Sequence, residues 1–510
     1  MVDAAAPSAV VAWTRHLQRY ASEPGAWVDA SEAIGPQPAS ERQTMARHVA
    51  ALDLPNPRAA MFRAVFLYLH TGDLAALSAA ARAVAQAGEI ERLHAWCVWV
   101  WGMAAMGAED RVHFRGVLEA AGFPELLVRP AHALTDLLPV PARRPGAGRR
   151  IAVLCQHLSG FAQAGTRLAL EHAALLAAAG HDVCVFSAQE LANAGIAGWL
   201  GCPSPPPLAP PVPEAWKPVS AAGTFQAWVA PHAWPVLLRW RSTAEKMAAF
   251  APDAVLFVGF FSPLLEWAYR HFPVAGLSLH TLPPLGPVDV WLHQFDTEAL
   301  PAPWNGIVQP EPFAYAHRFV LPPARALSLA SLNLPPDARL AVSVGYRLSS
   351  EITAEWAAQA LARLERHKQW VWLLVGDPHA PPGVGANHPQ VRVLPHQEHI
   401  DALLAQCHLY VNPPRMGGGF SVMNAMAHGV AAVSLGGSDG GDKLGPWAVA
   451  SAAEYWQRVD TFLADDAARV QCGGELAQRF RTLYDLRAAT PHIIAALDAA
   501  RARCAKRRTN

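Results

Sequence analysis

The residues best suited to chemistry crowd into the stretch from Leu394 to Asp442, which reads LPHQEHIDALLAQCHLYVNPPRMGGGFSVMNAMAHGVAAVSLGGSDGGD. Within it the strand-like LYVNPP runs into Gly417, Gly418 and Gly419, and a helical segment starts directly behind them. A strand, a glycine turn and a helix start together aim backbone N–H groups and the positive helix end at one point, which suits a diphosphate. A glycine triplet alone is also what a plain tight turn needs; its place between strand and helix favours the phosphate reading. Asp439 and Asp442 lie in SDGGDKLG. Two acids in a glycine-rich loop would suit a metal, but no third ligand stands at a helpful spacing. Turn-type hydrogen bonds are expected there, and no metal or other cofactor.

These residues need elements to hold them. From 335 to 510 the pattern alternates: LAVSVGYR and WVWLLVGD read as strands, TAEWAAQALARLERH as the helix between, and helices close the chain. From 149 to 325 it alternates too, with IAVLC, HDVCVFS, DAVLFVGF and VAGLSLH as strands and TRLALEHAALLAAAG as a helix. Short apolar runs separated by helices are the mark of parallel sheets covered on both faces. A proline-rich stretch at 202–213 interrupts as a surface excursion. Residues 1–145 place apolar side chains only at helical spacing, as in MARHVAALDL and AAMFRAVFLYLH, and the linker PVPARRPGAG follows. The expected fold is therefore α/β: two Rossmann-like parallel-sheet domains behind an all-helical N-terminal domain. Ligands of such sheets bind at the carboxyl ends of the strands. The helical part carries many aromatics, among them Phe62, Phe66, Tyr68, Trp96, Trp99 and Trp101. Most of these rings are expected to be buried, some against the first Rossmann-like domain, and the remainder to line a groove for a polypeptide laid toward His280; the alternative is that all of them are core.

Composition narrows the classes. The chain has 510 residues, 52% hydrophobic and 16% charged, so it is globular with more than one core. Lys plus Arg is 41 and Asp plus Glu is 41, which gives no electrostatic reason for a nucleic-acid partner. The one basic cluster, Lys506-Arg507-Arg508, is expected to be a solvated tail. Seven scattered cysteines without a C-x-x-C pair read as reduced thiols. The opening MVDAAAPSAV lacks the features of a signal peptide, and no apolar run is long enough for a membrane span. A cytoplasmic location is expected.

The run NPPRMGGGFSVMNAMAHGVAAVS resembles the donor-site signature of the bacterial cytoplasmic glycosyltransferases that modify adhesins, relatives of O-linked N-acetylglucosamine transferase. That pattern is Asn-Pro, a Gly four residues on, an acid seven further and a Gly five beyond; Asn412-Pro413, Gly417, Asn424 and Gly429 occupy those places. The family's acid is Asn424 here, and a polar residue of its turn is Phe420. LAVSVGYRL is similar to the family's strand ending in a donor-phosphate lysine, with Arg347 in that position. LPHQEHID puts His396 and His399 on the family's histidine turn, LSLHTLPP puts His280 on a histidine of the cleft, and VLCQHLSG suggests His157.

The resemblance implies a GT-B enzyme that takes a hexose from a UDP-sugar and gives it to a protein side chain. Arg347 would neutralise charge on the departing diphosphate. Asn412, Asn424 and Asp439 would contact ribose or sugar hydroxyls, and His280 or His157 would orient or deprotonate the acceptor. Retaining GT-B enzymes carry two glutamates where this chain has Met416 and Asn424, which favours inversion. A glycan or lipid-linked acceptor, or a scaffold working through the helical domain, are the alternatives.

Overall fold

The structure is a computed structural model. It describes residues 8–142, 148–191, 224–293, 311–321 and 327–509, apart from 55, 88, 89, 91, 92, 99, 101–110, 161, 162, 280, 281, 333, 335, 336, 386, 387, 398 and 416. The proline-rich stretch at 202–213, Trp99 and Trp101 lie outside the described residues.

Strand β1 (Arg150–Cys155) reads RIAVLC and is buried beyond its first residue, as a strand covered on both faces must be. It is central to a parallel sheet with β2 (Asp182–Ser187), β3 (Gln226–Val229), β4 (Ala254–Val258), β5 (Val274–Leu277), β6 (Val290–His293) and β7 (Glu311–Ala314). The order is β3-β2-β1-β4-β5-β6-β7. A second parallel sheet contains β8 (Arg339–Val344), β9 (Trp370–Val375), β10 (Val391–Leu394), β11 (Leu409–Val411) and β12 (Ala431–Val433), in the order β10-β9-β8-β11-β12. Strand β9, WVWLLV, is buried throughout.

Each sheet reverses its winding at one place. The chain steps outward from β1 through β2 to β3, then β4 returns to the other flank of β1; β11 does the same beside β8. Loops leaving β1 and β4, and those leaving β8 and β11, are therefore splayed apart, and ligand crevices of doubly wound sheets open there. This is the GT-B fold expected from the sequence.

The N-terminal helices do not form a free-standing module. Phe62, Phe66, Tyr68 and Trp96 are buried in a core that continues onto Phe260, Phe261, Leu282 and Leu285 of the loops after β4 and β5. Phe123 meets Phe261 edge-on with ring centroids 4.9 Å apart. The expected peptide groove is thus not lined by these four rings. They close the seam between the helices and the first sheet, where their large apolar areas are taken out of water.

The last helix, Thr490–Thr509, also departs from expectation. Its Ile493, Ala496, Leu497 and Ala500 pack into the core of the first sheet, although the chain reaches it from the second domain. The basic cluster at its end is not a solvated tail. Arg507 pairs with the fully buried Asp289 at 3.2 Å and lies 3.6 Å over the Tyr269 ring, and Arg508 donates to the carbonyl of His271. The two chain segments crossing between the sheet domains run side by side. The amides of Arg318 and Phe319 both donate to Tyr484 O at 3.0 Å, and Leu486 N donates back to Phe319 O at 2.8 Å. Among the described residues no helix is long and apolar enough to cross a membrane.

Candidate active site

The strand β8 ends in Gly345-Tyr346-Arg347, and a one-turn helix, Leu348–Glu351, follows. Arg347 turns back along that helix. Its Nε and Nη2 donate to Oε1 of Glu351 at 3.2 and 2.9 Å. The other carboxylate oxygen of Glu351 accepts from Nη1 of Arg415 at 2.9 Å. Arg415 is only 6% exposed, against 39% for Arg347, so the pair with Glu351 joins a buried cation to one at the surface. A buried guanidinium must spend its donors on fixed acceptors. Arg415 does so on Asn412 Oδ1 at 3.0 Å, Val344 O at 2.7 Å and Tyr410 OH at 3.3 Å.

The start of the one-turn helix is pinned from β9. Asp377, just past that strand, accepts from Ser349 N and Oγ at 2.9 and 2.7 Å. Burial raises the Asp377 carboxyl, but these bonds and those from His379 outweigh it and hold it below the usual carboxylate range.

Asn412, at the end of β11, is equally committed. Its Oδ1 takes Arg415, its Nδ2 donates to Ser434 Oγ at 2.9 Å, and its carbonyl accepts from Tyr455 OH at 2.9 Å. The sequence reading assigns Asn412 to a sugar hydroxyl; in the fold its side chain is buried and holds the turn instead. Directly above lies Gly418, the residue before the helix Gly419–Ala427, with φ +97°. A Cβ there would stand 2.7 Å from Asn412 Oδ1 and 2.8 Å from Arg415 Nη2, so backbone conformation and space both demand glycine. Gly417 has open space around it, and Gly419 is buried at the first position of the helix. Tyr410 OH bonds Ser421 Oγ at 2.8 Å and ties that first turn down.

Asn424 is on this helix, 4% exposed, and its Oδ1 has no hydrogen-bond partner among the described residues. Such an acceptor costs stability unless a hydroxyl or amine reaches it. Phe420 packs against the cores of both sheets, with Phe319 of the crossing segment 5.8 Å away, which explains an apolar residue there. His396, after β10, is exposed and stacks on Tyr346 with centroids 5.6 Å apart and planes at 22°. His399 precedes the short helix Ile400–Leu404, and Asp439 opens the helix Asp439–Leu444.

Across the cleft, His157 follows β1 and is buried. His280 lies outside the described residues. Near His157 are polar residues that the sequence reading missed. Glu190, behind β2, accepts from Ser262 Oγ at 2.6 Å and Trp240 Nε1 at 3.1 Å, and burial pushes its carboxyl up to about 8. Among the described residues no three His, Cys, Asp or Glu side chains cluster so as to hold a metal ion.

Sequence signals for Glu351 and Arg415 were present but unremarkable: an acid four residues after an arginine, and an arginine inside a Pro-Gly loop. Only the β8–β11 adjacency brings them together.

Residues 339–465, from β8 into the helix Ala452–Ala464, match the family of glycosyl transferases group 1. No curated protein sequence matches the chain. Among solved structures, an O-GlcNAc transferase mutant of Thermobaculum terrenum is 14% identical with a TM-score of 0.46, covering 98% of this chain and 100% of that one. A glycosyltransferase of Rickettsia africae is 12% identical with a TM-score of 0.47 over 70% and 99% of the two chains. A trehalose-6-phosphate synthase is 14% identical with a TM-score of 0.45 over 68% and 99%. The second sheet domain carries the match to the glycosyl transferases group 1 family, and the two doubly wound sheets give the chain the GT-B fold of glycosyltransferases.

Proposed function

We propose that the chain transfers a hexose from a UDP-sugar to a protein side chain, in the cytoplasm, with inversion at the sugar and without a metal. The observation that carries this reading is the arginine at the end of β8, linked through Glu351 and Arg415 to the Gly418 turn at the switch point of the second sheet. A diphosphate on that turn would meet backbone N–H groups and the guanidinium of Arg347 together. As the sugar leaves, negative charge grows on the diphosphate, and Arg347 stabilises it where other enzymes use a divalent ion.

The exposed Tyr346 and His396 rings offer a stacking face for the base, and Asn424 Oδ1 an acceptor for a hydroxyl. His157 or His280 would orient or deprotonate the acceptor group. Support for a protein acceptor comes from the resemblance of the run from Asn412 to Gly429.

Thermal unfolding with UDP and UDP-sugars tests the donor. A ligand at a hundred times its dissociation constant adds about 2.7 kcal/mol to stability. No shift with any nucleoside diphosphate at millimolar concentration would sink the reading. Mass spectrometry of candidate proteins after incubation with donor tests the acceptor. Transfer that persists in EDTA is expected, and complete loss would overturn metal independence.

A further inference from the structure

Glu351 is where the two arginines meet. Its Oε1 takes both Nε and Nη2 of Arg347, and its Oε2 takes Nη1 of Arg415. Arg415 is immobilised by three further acceptors, one of them the side chain under Gly418. Among the described residues the guanidinium of Arg347 is bonded to Glu351 alone, and the side chain is 39% exposed. One carboxylate thus fixes an exposed cation to a buried one, and the buried one to the glycine turn.

We propose that Glu351 is a positioning residue for the donor diphosphate: it aims Arg347 at the Gly418 turn and keeps that aim in register with the turn through Arg415. The proposal rests on the donor-site reading above. Two physical effects oppose each other at this residue. Removing the carboxylate leaves more net positive charge near the anion. It also lets Arg347, a long side chain with many rotamers, swing freely. Charge at a site open to water is screened and contributes little. A two-point grip on phosphate oxygens depends on orientation, and orientation held in advance is what lowers the cost of binding. Aim therefore outweighs charge, and loss of Glu351 weakens diphosphate binding.

The test is a double-mutant cycle on the full chain, with binding of UDP, ADP and GDP followed by calorimetry. Arg347→Ala and Glu351→Gln are each expected to weaken the best-bound nucleotide about tenfold. The two arginines bond opposite oxygens of the carboxylate, so a glutamine in the same place turns an NH2 donor toward one of them and serves only the other. The double variant should bind within about twofold of Arg347→Ala alone, because both changes remove one device. A general structural injury would instead multiply with the loss at Arg347. Unchanged or tighter binding in Glu351→Gln, or losses that multiply, would overturn the proposal. If Glu351→Gln does not fold, Arg347→Lys decides. It keeps the charge but has no planar fork, so the same loss is expected, and wild-type affinity would refute the role. If the wild type binds none of the three nucleotides, the donor-site reading fails first and takes this inference with it.

Discussion

The two sheets end alike, with loops gathered at the carboxyl ends of parallel strands, yet the loops carry opposite kinds of polar group. Behind β8 and β11 the groups are charged and paired: Arg347, Glu351 and Arg415 form a chain of ions anchored by Asn412. Behind β1 and β2 they are buried and incompletely bonded. Among the described residues Gln156 Nε2 and Glu190 Oε2 have no hydrogen-bond partner, and burial pushes the Glu190 carboxyl up to about 8. One half is built to present fixed charge; the other suppresses it. The half proposed for the donor is thus rigid and electrostatic, and the half proposed for the acceptor is dry.

Acid should break this comparison most strongly, because the largest suppressed charges lie in the first sheet domain and the helices packed on it. Burial lowers His172 to about 4, His94 to about 3 and His70 to about 4, from 6.5. All three belong to the first sheet domain or the helices packed on it. Neither ring nitrogen of His94 has a hydrogen-bond partner among the described residues. A histidine folded neutral gives stability that is complete above 6.5 and is lost as pH falls toward its folded value, since only the unfolded chain takes up the proton. Glu190 works the other way: its raised value means it loses stability as pH rises from 4.5 toward about 8. Burial lowers His271, His317, His408 and His428 as well, so histidines outnumber Glu190 and acidification below 6.5 brings a net loss of stability. Urea unfolding at pH 7 and pH 5, with hydrogen exchange to locate the opening, checks this. Stability that is flat or rises at pH 5, or exchange that opens the second sheet first, would refute it.

Arg415→Ala should strike the other half alone. It leaves Glu351 and Asn412 Oδ1 without their buried donor. Breaking one member of a buried pair costs about 3 to 5 kcal/mol. Differential unfolding should show the second sheet domain weakened and the first unchanged. A loss below about 1 kcal/mol would mean that water replaces the guanidinium and the network is not dry.

These contrasts explain what was legible in the sequence. Both sheets were, because buried parallel strands such as RIAVLC and WVWLLV announce themselves by composition alone. The turn was legible as a strand, glycines and a helix. The ion network was not, since Glu351 and Arg415 are 64 positions apart and meet only because β8 and β11 pair. The burial of most aromatics of the helical region, some of them against the first sheet domain, was legible; which rings would be left for a groove was not, because an aromatic needed for a seam between domains looks the same in sequence as one lining a groove. The last helix was misplaced for a related reason. Its helical character was visible, but not the sheet it would cover.

The glycine turn sharpens the point at single-residue scale. Gly418→Ala forces a Cβ onto Asn412 and Arg415 at φ +97°, and should cost about 2 to 3 kcal/mol. Gly417→Ala meets open space and should leave stability within about 0.5 kcal/mol. Equal losses in the two melting curves would mean that the turn is not set by the network beneath it.

The smallest effect expected is at the far end of the chain, where the second domain's last helix clasps the first sheet. Arg507 donates through Nε and Nη2 to the two oxygens of Asp289, at 3.2 and 3.3 Å, while Asp289 also accepts from Val274 N at 2.8 Å. Burial raises the Asp289 carboxyl, and the bonds from Val274 and Arg507 work against that rise. Arg507→Ala removes the cation and its stacking on Tyr269 but leaves the backbone donor in place, so the carboxylate is only half abandoned. The expected loss is about 1 to 2 kcal/mol. Arg507→Lys keeps the charge without the planar fork and should recover about half of it. Melting curves of the three proteins at pH 7 decide the matter. If both variants melt with the wild type, Arg507 contributes nothing to the clasp, and the helix is held by Ile493, Leu497 and their apolar neighbours alone.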